Sequence, residues 1–508
     1  MKKTLFIKNA LILTVSSLIL RFVGIIFKVW LAKLIGSEGI GLYQLVFSVY
    51  MLASTFAASG ICTAVTRLIA EELAVGTKKG AAKIMRRSVE LTLIIALATV
   101  VTVFFGAEFI ASRFLGDIRA VPALKILPLS LPFMGITSCL RGYFIARRKI
   151  TPNAVSQLFE QAVRIILVVI LVKSFYKKGL AACCGAVLFA DCAAEICSFL
   201  LLWVIWLFDT KKLKITASNS RPPQPVVKRI FHIALPITSG RYLNTALRTA
   251  ENILVPKNLA KYPFGGSNAL SQFGMIKGMA LPILFFPSTL LNSVSTLLIP
   301  EISEASAKNQ KGLVRSATQN VLKLTALVSF IFAAVFFCAG REIGMLLYKD
   351  RAVGELLRAL SPIVPLMYLD SISDGILKGL DQQVFSFRTA ISDSVIRIFL
   401  ILILLPIFGL RGFIWIMYFS NALTCGLNVG RLLKVSHARL YFVKEVFLPL
   451  GCAYIIVLTV ETLLKKIVTG NLVYIILICV ISLPVYLLFL MLFGVLNHDD
   501  IRNFTKKH

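Results

Sequence analysis

Arg21 and Lys28 stand seven residues apart inside an otherwise apolar stretch, which puts them two helical turns apart on one face. Arg241, Arg248 and Glu251 repeat the spacing in a second stretch, and Lys277 lies isolated between Phe273 and Pro282 in a third. An ionised side chain inside a membrane span is costly unless it meets a partner or a cavity. Cations so placed suit an anionic substrate group: guanidinium forks and a lysine ammonium match the oxygens of a pyrophosphate. Structural alternatives stay open. Arg21 can pair with a buried carboxylate, Lys28 can snorkel outward, and Arg248 can pair with Glu251 at i,i+3.

The acidic residues suggest two other roles. Glu160 precedes Arg164 by four residues and Asp393 precedes Arg397 by four, the favourable acid-first order for a helical ion pair, so a structural bridge is expected at both. Asp191 and Glu195 share the spacing in a sixth stretch. They can bind a coupling cation or a proton, or simply lie near an interface.

Enzyme chemistry is not legible. There is no P-loop, HExxH or GxSxG. A membrane enzyme of glycan assembly would need a carboxylate with a partner on an outer loop, and Asp117 and Asp350 are the Asp residues there. The chain has 10 Cys and 4 His but no CxxC. Cys183, Cys184, Cys192 and Cys197 crowd one apolar run, where cysteine behaves as a small hydrophobe. No metal, disulfide framework or cofactor is expected.

The elements that position these residues follow from composition. Of 508 residues 57% are hydrophobic and 16% charged, with mean hydropathy +0.83. Soluble domains carry about 25% charged residues, so an all-α polytopic membrane protein is expected. About fourteen apolar stretches reach span length, at approximately 9–32, 41–73, 88–112, 121–146, 153–174, 180–208, 229–256, 268–299, 316–340, 354–379, 387–406, 411–435, 443–464 and 471–495. The start resembles a signal peptide but lacks a small-x-small cleavage site, and Arg21 and Lys28 continue the run, so it reads as an uncleaved first span. Net charge is +31. The basic residues cluster in short loops between spans rather than in a nucleic-acid-binding stripe. With the N-terminus inside they fall mainly on the cytoplasmic side, and the C-terminus returns there too.

A polar segment, 209–228, carries three prolines after Arg221 and reads as a linker between 1–208 and 229–436, with two further spans and a tail in 437–508. The two parts repeat. One constant offset carries 131–144 onto 364–377, matching Pro132 with Pro365, Ser138 with Ser371, Gly142 with Gly375, Arg164 with Arg397 and Gly179 with Gly412. A slightly shorter offset aligns Thr66 with Thr296 and Glu71 with Glu301. Six spans separate the copies, so the expected repeat is parallel: two pseudo-symmetric six-helix lobes, an alternating-access architecture.

The stretches LRFVGIIFKVWLAKLIGSEGIGLYQLVFSVY (20–50), GICTAVTRLIAEE (60–72) and LRGYFIARRKITPNAVSQLFEQAVRI (140–165), with LPITSGRYLN (235–244) and LLIPEISE (297–304), resemble the multidrug/oligosaccharidyl-lipid/polysaccharide flippase superfamily. Within it the chain is similar to the polysaccharide branch that contains stage V sporulation protein B. The resemblance implies a fourteen-helix flippase that moves undecaprenyl-pyrophosphate-linked glycans, such as peptidoglycan or spore-cortex precursors, across the cytoplasmic membrane. It implies a cavity-lining role for Arg21, followed by the family's glycine at Gly24. Lys28 stands where close relatives carry a basic residue, and Lys277 is the local candidate for a basic residue of the eighth helix. The expected partners are a lipid-linked glycan, membrane lipid and a coupling cation or the membrane potential, with no nucleic acid. The competing readings are a drug/cation antiporter of the sister branch, which would want an acidic cavity, a glycan-assembly enzyme, and a non-transporting scaffold.

Overall fold

The computed structural model describes residues 2–58, 60–74, 78–175, 179–211, 225–263, 268–439, 441–465, 467 and 470–495. Apolar stretches in lipid must pair every backbone polar group internally, which helices do within one segment. The described residues accordingly form helices and no strand. The first part of the chain runs α1 (Lys2–Ala58), α2 (Ile61–Ala74), α3 (Lys78–Phe105), the short α4 (Ala107–Phe109) and α5 (Val121–Ile126), then α6 (Leu131–Ala146), α7 (Thr151–Phe175), α8 (Leu180–Lys211) and α9 (Val226–Leu259). It continues through α10 (Ala269–Phe273), α11 (Leu281–Phe285), α12 (Ser288–Ala307), α13 (Lys311–Tyr348), α14 (Arg351–Leu360), α15 (Val364–Gly379), α16 (Gln383–Ser436), α17 (Leu448–Leu464) and α18 (Asn471–Leu492). Nine helical segments among the described residues are long and apolar enough to cross a membrane.

Two helices are too long for one crossing. α1 has 57 residues and α16 has 54, against roughly 20 for a hydrocarbon core. Each is two helices joined at a glycine: Gly36 at φ 72, ψ 178 and Gly409 at φ 55, ψ −133. An L-residue at either place would be strained. Elsewhere the sequence expectation needs correction. The stretch 41–73 is not one helix, because α1 ends at Ala58, Gly60 takes φ 75 and α2 starts at Ile61. The stretch 268–299 is interrupted by a π-helical turn at Gly274–Ala280 and a break at Phe286–Pro287. The expected linker residues 212–224 and tail 496–508 lie outside the described residues.

The helices gather into two compact units. The first comprises Met1–Phe27, Leu34–Ala260 and Ser267–Gly274, and the second Lys28–Lys33, Lys261–Gly266 and Met275–His508. Val65, Leu68, Ile84, Phe144, Leu202 and Ile230 bring α2, α3, α6, α8 and α9 together in a core of the first unit. In the second, α13 is the central helix, with buried residues from Val314 to Tyr348. By contrast α18 exposes Leu472, Ile476, Val480, Leu483 and Leu487, as a lipid-facing helix does. Close packing rather than water exclusion holds such helices together in a bilayer.

The internal repeat is visible in local structure. Under the offset that maps 131–144 onto 364–377, α6 and α15 coincide end to end. Asp117 and Asp350 both cap a helical start, accepting from the backbone N–H of Arg119 and Ala352. Gly116 and Lys349 take left-handed C-caps at φ 74 and 55, and Arg148 and Asp381 take φ 58 and 59.

Candidate functional site

In the first unit α6, α7, α8 and the second part of α1 bring a charged cluster together. On α7 the acid-first spacing forms as expected: Arg164 Nη2 reaches Glu160 Oε1 at 2.9 Å. Arg164 Nη1 also donates to Gln161 Oε1 at 3.2 Å. Its Nε lies 2.9 Å from Asp191 Oδ1 on α8, an ion pair whose angle falls short of a hydrogen bond. Tyr43 on α1 donates to the other Asp191 oxygen at 3.3 Å. Arg141 on α6 approaches Glu160 Oε2 at 3.4 Å through Nη2, while its own Nε is buried without a hydrogen-bond partner among the described residues. Glu195, one turn beyond Asp191, is buried, and its Oε1 accepts no hydrogen bond among the described residues.

Read as separate i,i+4 pairs in the sequence, Glu160–Arg164 and Asp191–Glu195 therefore form one site. It contains three carboxylates and two guanidinium groups. Sequence reasoning missed Arg141 and Tyr43 as members. Arg141 carried a signal, since an arginine within an apolar run calls for a partner or a role. Tyr43 carried none, because only the packing of α1 against α8 places its hydroxyl at Asp191.

The predicted cavity cations divide between the units. Arg21 on α1 is exposed, and no Cβ neighbour would crowd the backbone at Gly24. Arg241 and Arg248 on α9 are exposed in the same unit. None of these three arginines has a hydrogen-bond or ion-pair partner among the described residues, so Arg248 does not form the i,i+3 pair with the buried Glu251. α9 is held against α1 by Thr249 Oγ1, which donates to Ser48 O at 3.1 Å, and Asn252 Nδ2, which donates to Ser48 Oγ at 2.9 Å. At its other end Arg229 Nη2 meets Glu71 Oε2 on α2 at 2.6 Å. Lys28 and Lys277 belong to the second unit; Lys28 is exposed, and Lys277 is half-buried in the π-helical turn.

The repeat gives the second unit an equivalent of the α7 pair. Arg397 Nη2 meets Asp393 Oδ2 at 2.7 Å and donates to Ser420 Oγ at 2.6 Å. The Ser420 hydroxyl donates in turn to Asp393 Oδ1 at 2.5 Å. Thr424 and Asn428 stand where the offset would place Asp191 and Glu195, and Asn428 Nδ2 donates to Asp370 Oδ1 at 2.8 Å.

A helical chain with this many spans and internally paired charges has the build of a membrane transporter. Residues 6–281 match the family model described as "Polysaccharide biosynthesis protein", and residues 262–403 match the MatE model. The chain belongs to the polysaccharide biosynthesis protein family, among the membrane transporters of the multidrug/oligosaccharidyl-lipid/polysaccharide flippase superfamily. It is 28% identical to stage V sporulation protein B of Bacillus subtilis (strain 168) over 418 residues, covering 81% of this chain and 80% of the relative. It is 21% identical to the lipid II flippase MurJ of the same organism over 414 residues, 78% of this chain and 76% of the relative. Among solved structures it resembles lipid II flippase MurJ in an inward closed conformation, with TM-score 0.71, 17% identity and coverage of 94% and 98% of the two chains. The protein is thus a multi-pass membrane protein, related to transporters and flippases rather than to enzymes.

Proposed function

We propose that the protein is a flippase for an undecaprenyl-pyrophosphate-linked glycan, a peptidoglycan precursor or another envelope or spore-cortex unit, in the cytoplasmic membrane with both termini inside. The observation that carries this reading is the set of arginines, Arg21, Arg241 and Arg248, without an ion-pair partner among the described residues. A membrane transporter that keeps such charges in apolar helices needs an anion to meet them, and a pyrophosphate offers one while its lipid tail stays in the bilayer. The relatedness to proteins named for lipid II flipping and for sporulation supports the same substrate class. In this reading 1–208 and 229–436 are the alternating lobes, with α9 of the second repeat packed in the first compact unit, 209–228 joins them, and 437–508 adds two spans and a tail. Lys28 and Lys277 are further candidate cations for the substrate.

The acidic surplus of Glu160, Asp191 and Glu195 supports a coupled proton or monovalent cation. The membrane potential is the other source of drive, worth about 2.3 kcal/mol per charge per 100 mV. A drug/cation antiporter is the second reading, favoured by the MatE match over 262–403 and by the buried carboxylate of Glu195.

The test is complementation of a bacterium depleted of its peptidoglycan-precursor flippases, with Arg21→Ala alongside. The expected result is that wild type restores precursor accessibility on the outer leaflet. Arg21→Ala should reach the membrane at normal abundance and fail. Full activity in Arg21→Ala would remove the cationic-cavity reading. Failure of the well-expressed wild type, together with dye efflux, would establish the antiporter instead.

A further inference from the structure

We propose that Arg141 is an anion ligand for the phosphate groups of the substrate, held at rest by Glu160 and released to the substrate when it binds. This rests on the flippase reading and assigns it a residue outside the set Arg21, Arg241 and Arg248.

The first ground is the bonding of Arg141 itself. A guanidinium has five N–H donors. Among the described residues the side chain of Arg141 makes one contact, to Glu160 at 3.4 Å, well beyond the 2.7–2.9 Å of a charge-assisted hydrogen bond. Its buried Nε has no partner. Glu160 is already held by Arg164 at 2.9 Å, so the carboxylate does not depend on Arg141. The backbone beneath is fixed, in contrast. Asn153 Nδ2 donates to Arg141 O at 3.2 Å, Thr66 Oγ1 donates to Gly142 O at 3.2 Å, and a Cβ at Gly142 would come within 2.7 Å of Cys62 O. A firmly seated backbone carrying an under-bonded guanidinium is a pre-organised ligand.

The second ground is the repeat. The offset places Asp374 at the position of Arg141, and Asp374 is engaged by Lys378. The Asp393–Arg397 pair is joined by Ser420, with no second arginine bonded to Asp393 among the described residues. Bracing this helix therefore does not require Arg141.

The third ground is location. Gly142, next to Arg141, packs on the Cys62 carbonyl of α2, and Gly60 at the start of α2 packs on Ala234 and Thr238 of α9, the helix that carries Arg241. Helices α6 and α9 thus pack on the same helix, and two guanidinium groups, one from each, would suit the two phosphates of a pyrophosphate.

The experiment is calorimetric titration of the full-length protein in detergent with farnesyl pyrophosphate, and in parallel with inorganic pyrophosphate. Arg141→Gln should weaken farnesyl pyrophosphate binding about tenfold or more, with little change in the thermal unfolding midpoint. Arg141→Lys should recover part of the loss, and it serves as the probe where Arg141→Gln does not fold. Glu160→Gln should tighten binding, because it frees Arg141, although it weakens the Arg164 bridge. That opposite sign is what a purely structural ion pair cannot produce. Wild-type affinity in both Arg141 variants, or a parallel loss in Glu160→Gln, would overturn the proposal while leaving the flippase reading standing. A folded wild type that binds neither probe would overturn both. Loss of inorganic pyrophosphate binding in Arg141→Gln would assign the contact to the phosphates, whereas loss confined to farnesyl pyrophosphate would assign it to the lipid-linked form.

Discussion

On α7 of the first unit, Glu160 and Arg164 sit among Arg141, Asp191, Glu195 and Tyr43. On α16 of the second, the same acid-first pair, Asp393 and Arg397, is closed by one serine hydroxyl that bonds both members. Thr424 and Asn428 replace the α8 carboxylates. The backbone around the two pairs is closely alike, from the Asp117 and Asp350 caps to the left-handed turns at Arg148 and Asp381. The comparison separates what the fold needs from what is added. In the second unit Asp393 is met by a single arginine and a hydroxyl among the described residues. Each further buried charge costs desolvation that pairing only partly returns, and the second guanidinium and added carboxylates of the first unit are the groups that the proposed ligand binding and coupling would use.

The largest expected effect comes from removing the central cation on each side. Arg164→Ala leaves three carboxylates facing Arg141 alone within the cluster, and loss of one partner from a buried pair costs about 3–5 kcal/mol. Arg397→Ala leaves Asp393 with the Ser420 hydroxyl and costs less. Membrane abundance and the thermal unfolding midpoint should therefore fall further for Arg164→Ala than for Arg397→Ala, while activity per folded molecule falls less than abundance in both. Equal destabilisation would erase the asymmetry between the units, and a stable but inactive Arg164→Ala would make Arg164 itself a transport residue.

Glu195→Gln addresses the surplus directly. One of its oxygens has no hydrogen-bond partner among the described residues, so neutralising it should leave abundance near wild type. Transport driven by an imposed ion gradient should fall about tenfold, about 1.4 kcal/mol, in proteoliposomes. Substitution of its repeat counterpart, Asn428→Asp, should leave that gradient dependence intact. Unchanged gradient-driven transport in Glu195→Gln would remove this carboxylate from coupling.

The smallest effect concerns the repeat backbone. Gly116 and Lys349 occupy the same left-handed position, and a Cβ at Gly116 would make only an ordinary 3.7 Å contact with Lys257. Gly116→Ala should lower stability by about 1 kcal/mol, the cost of left-handed backbone for an L-residue, whereas Lys349→Ala already carries that strain and should change little. Equal shifts in unfolding midpoint would show that the two turns are not equivalent in energy.

Much of this architecture is legible from sequence because its causes are local. The long apolar runs dictate helices, and the spacing of Glu160 with Arg164 and of Asp393 with Arg397 yields the ion pairs found. The ends of the spans were less legible. A run such as 41–73 is apolar across its break, so hydropathy carries no mark of the turn at Gly60, and the π-helical turn that holds Lys277 leaves no compositional trace.

By itself, then, the sequence determined that the chain is helical, where most helices lie, that two parts repeat, and which charges stand within the apolar runs. Only the tertiary structure decided which of those charges meet. Arg141 and Glu160 lie on consecutive helices, Asp191 on the next and Tyr43 far upstream, and their meeting depends on the rotation of each helix about its axis. A helix that is apolar nearly all round has no polar face to report that rotation. Packing of side chains between neighbours sets it.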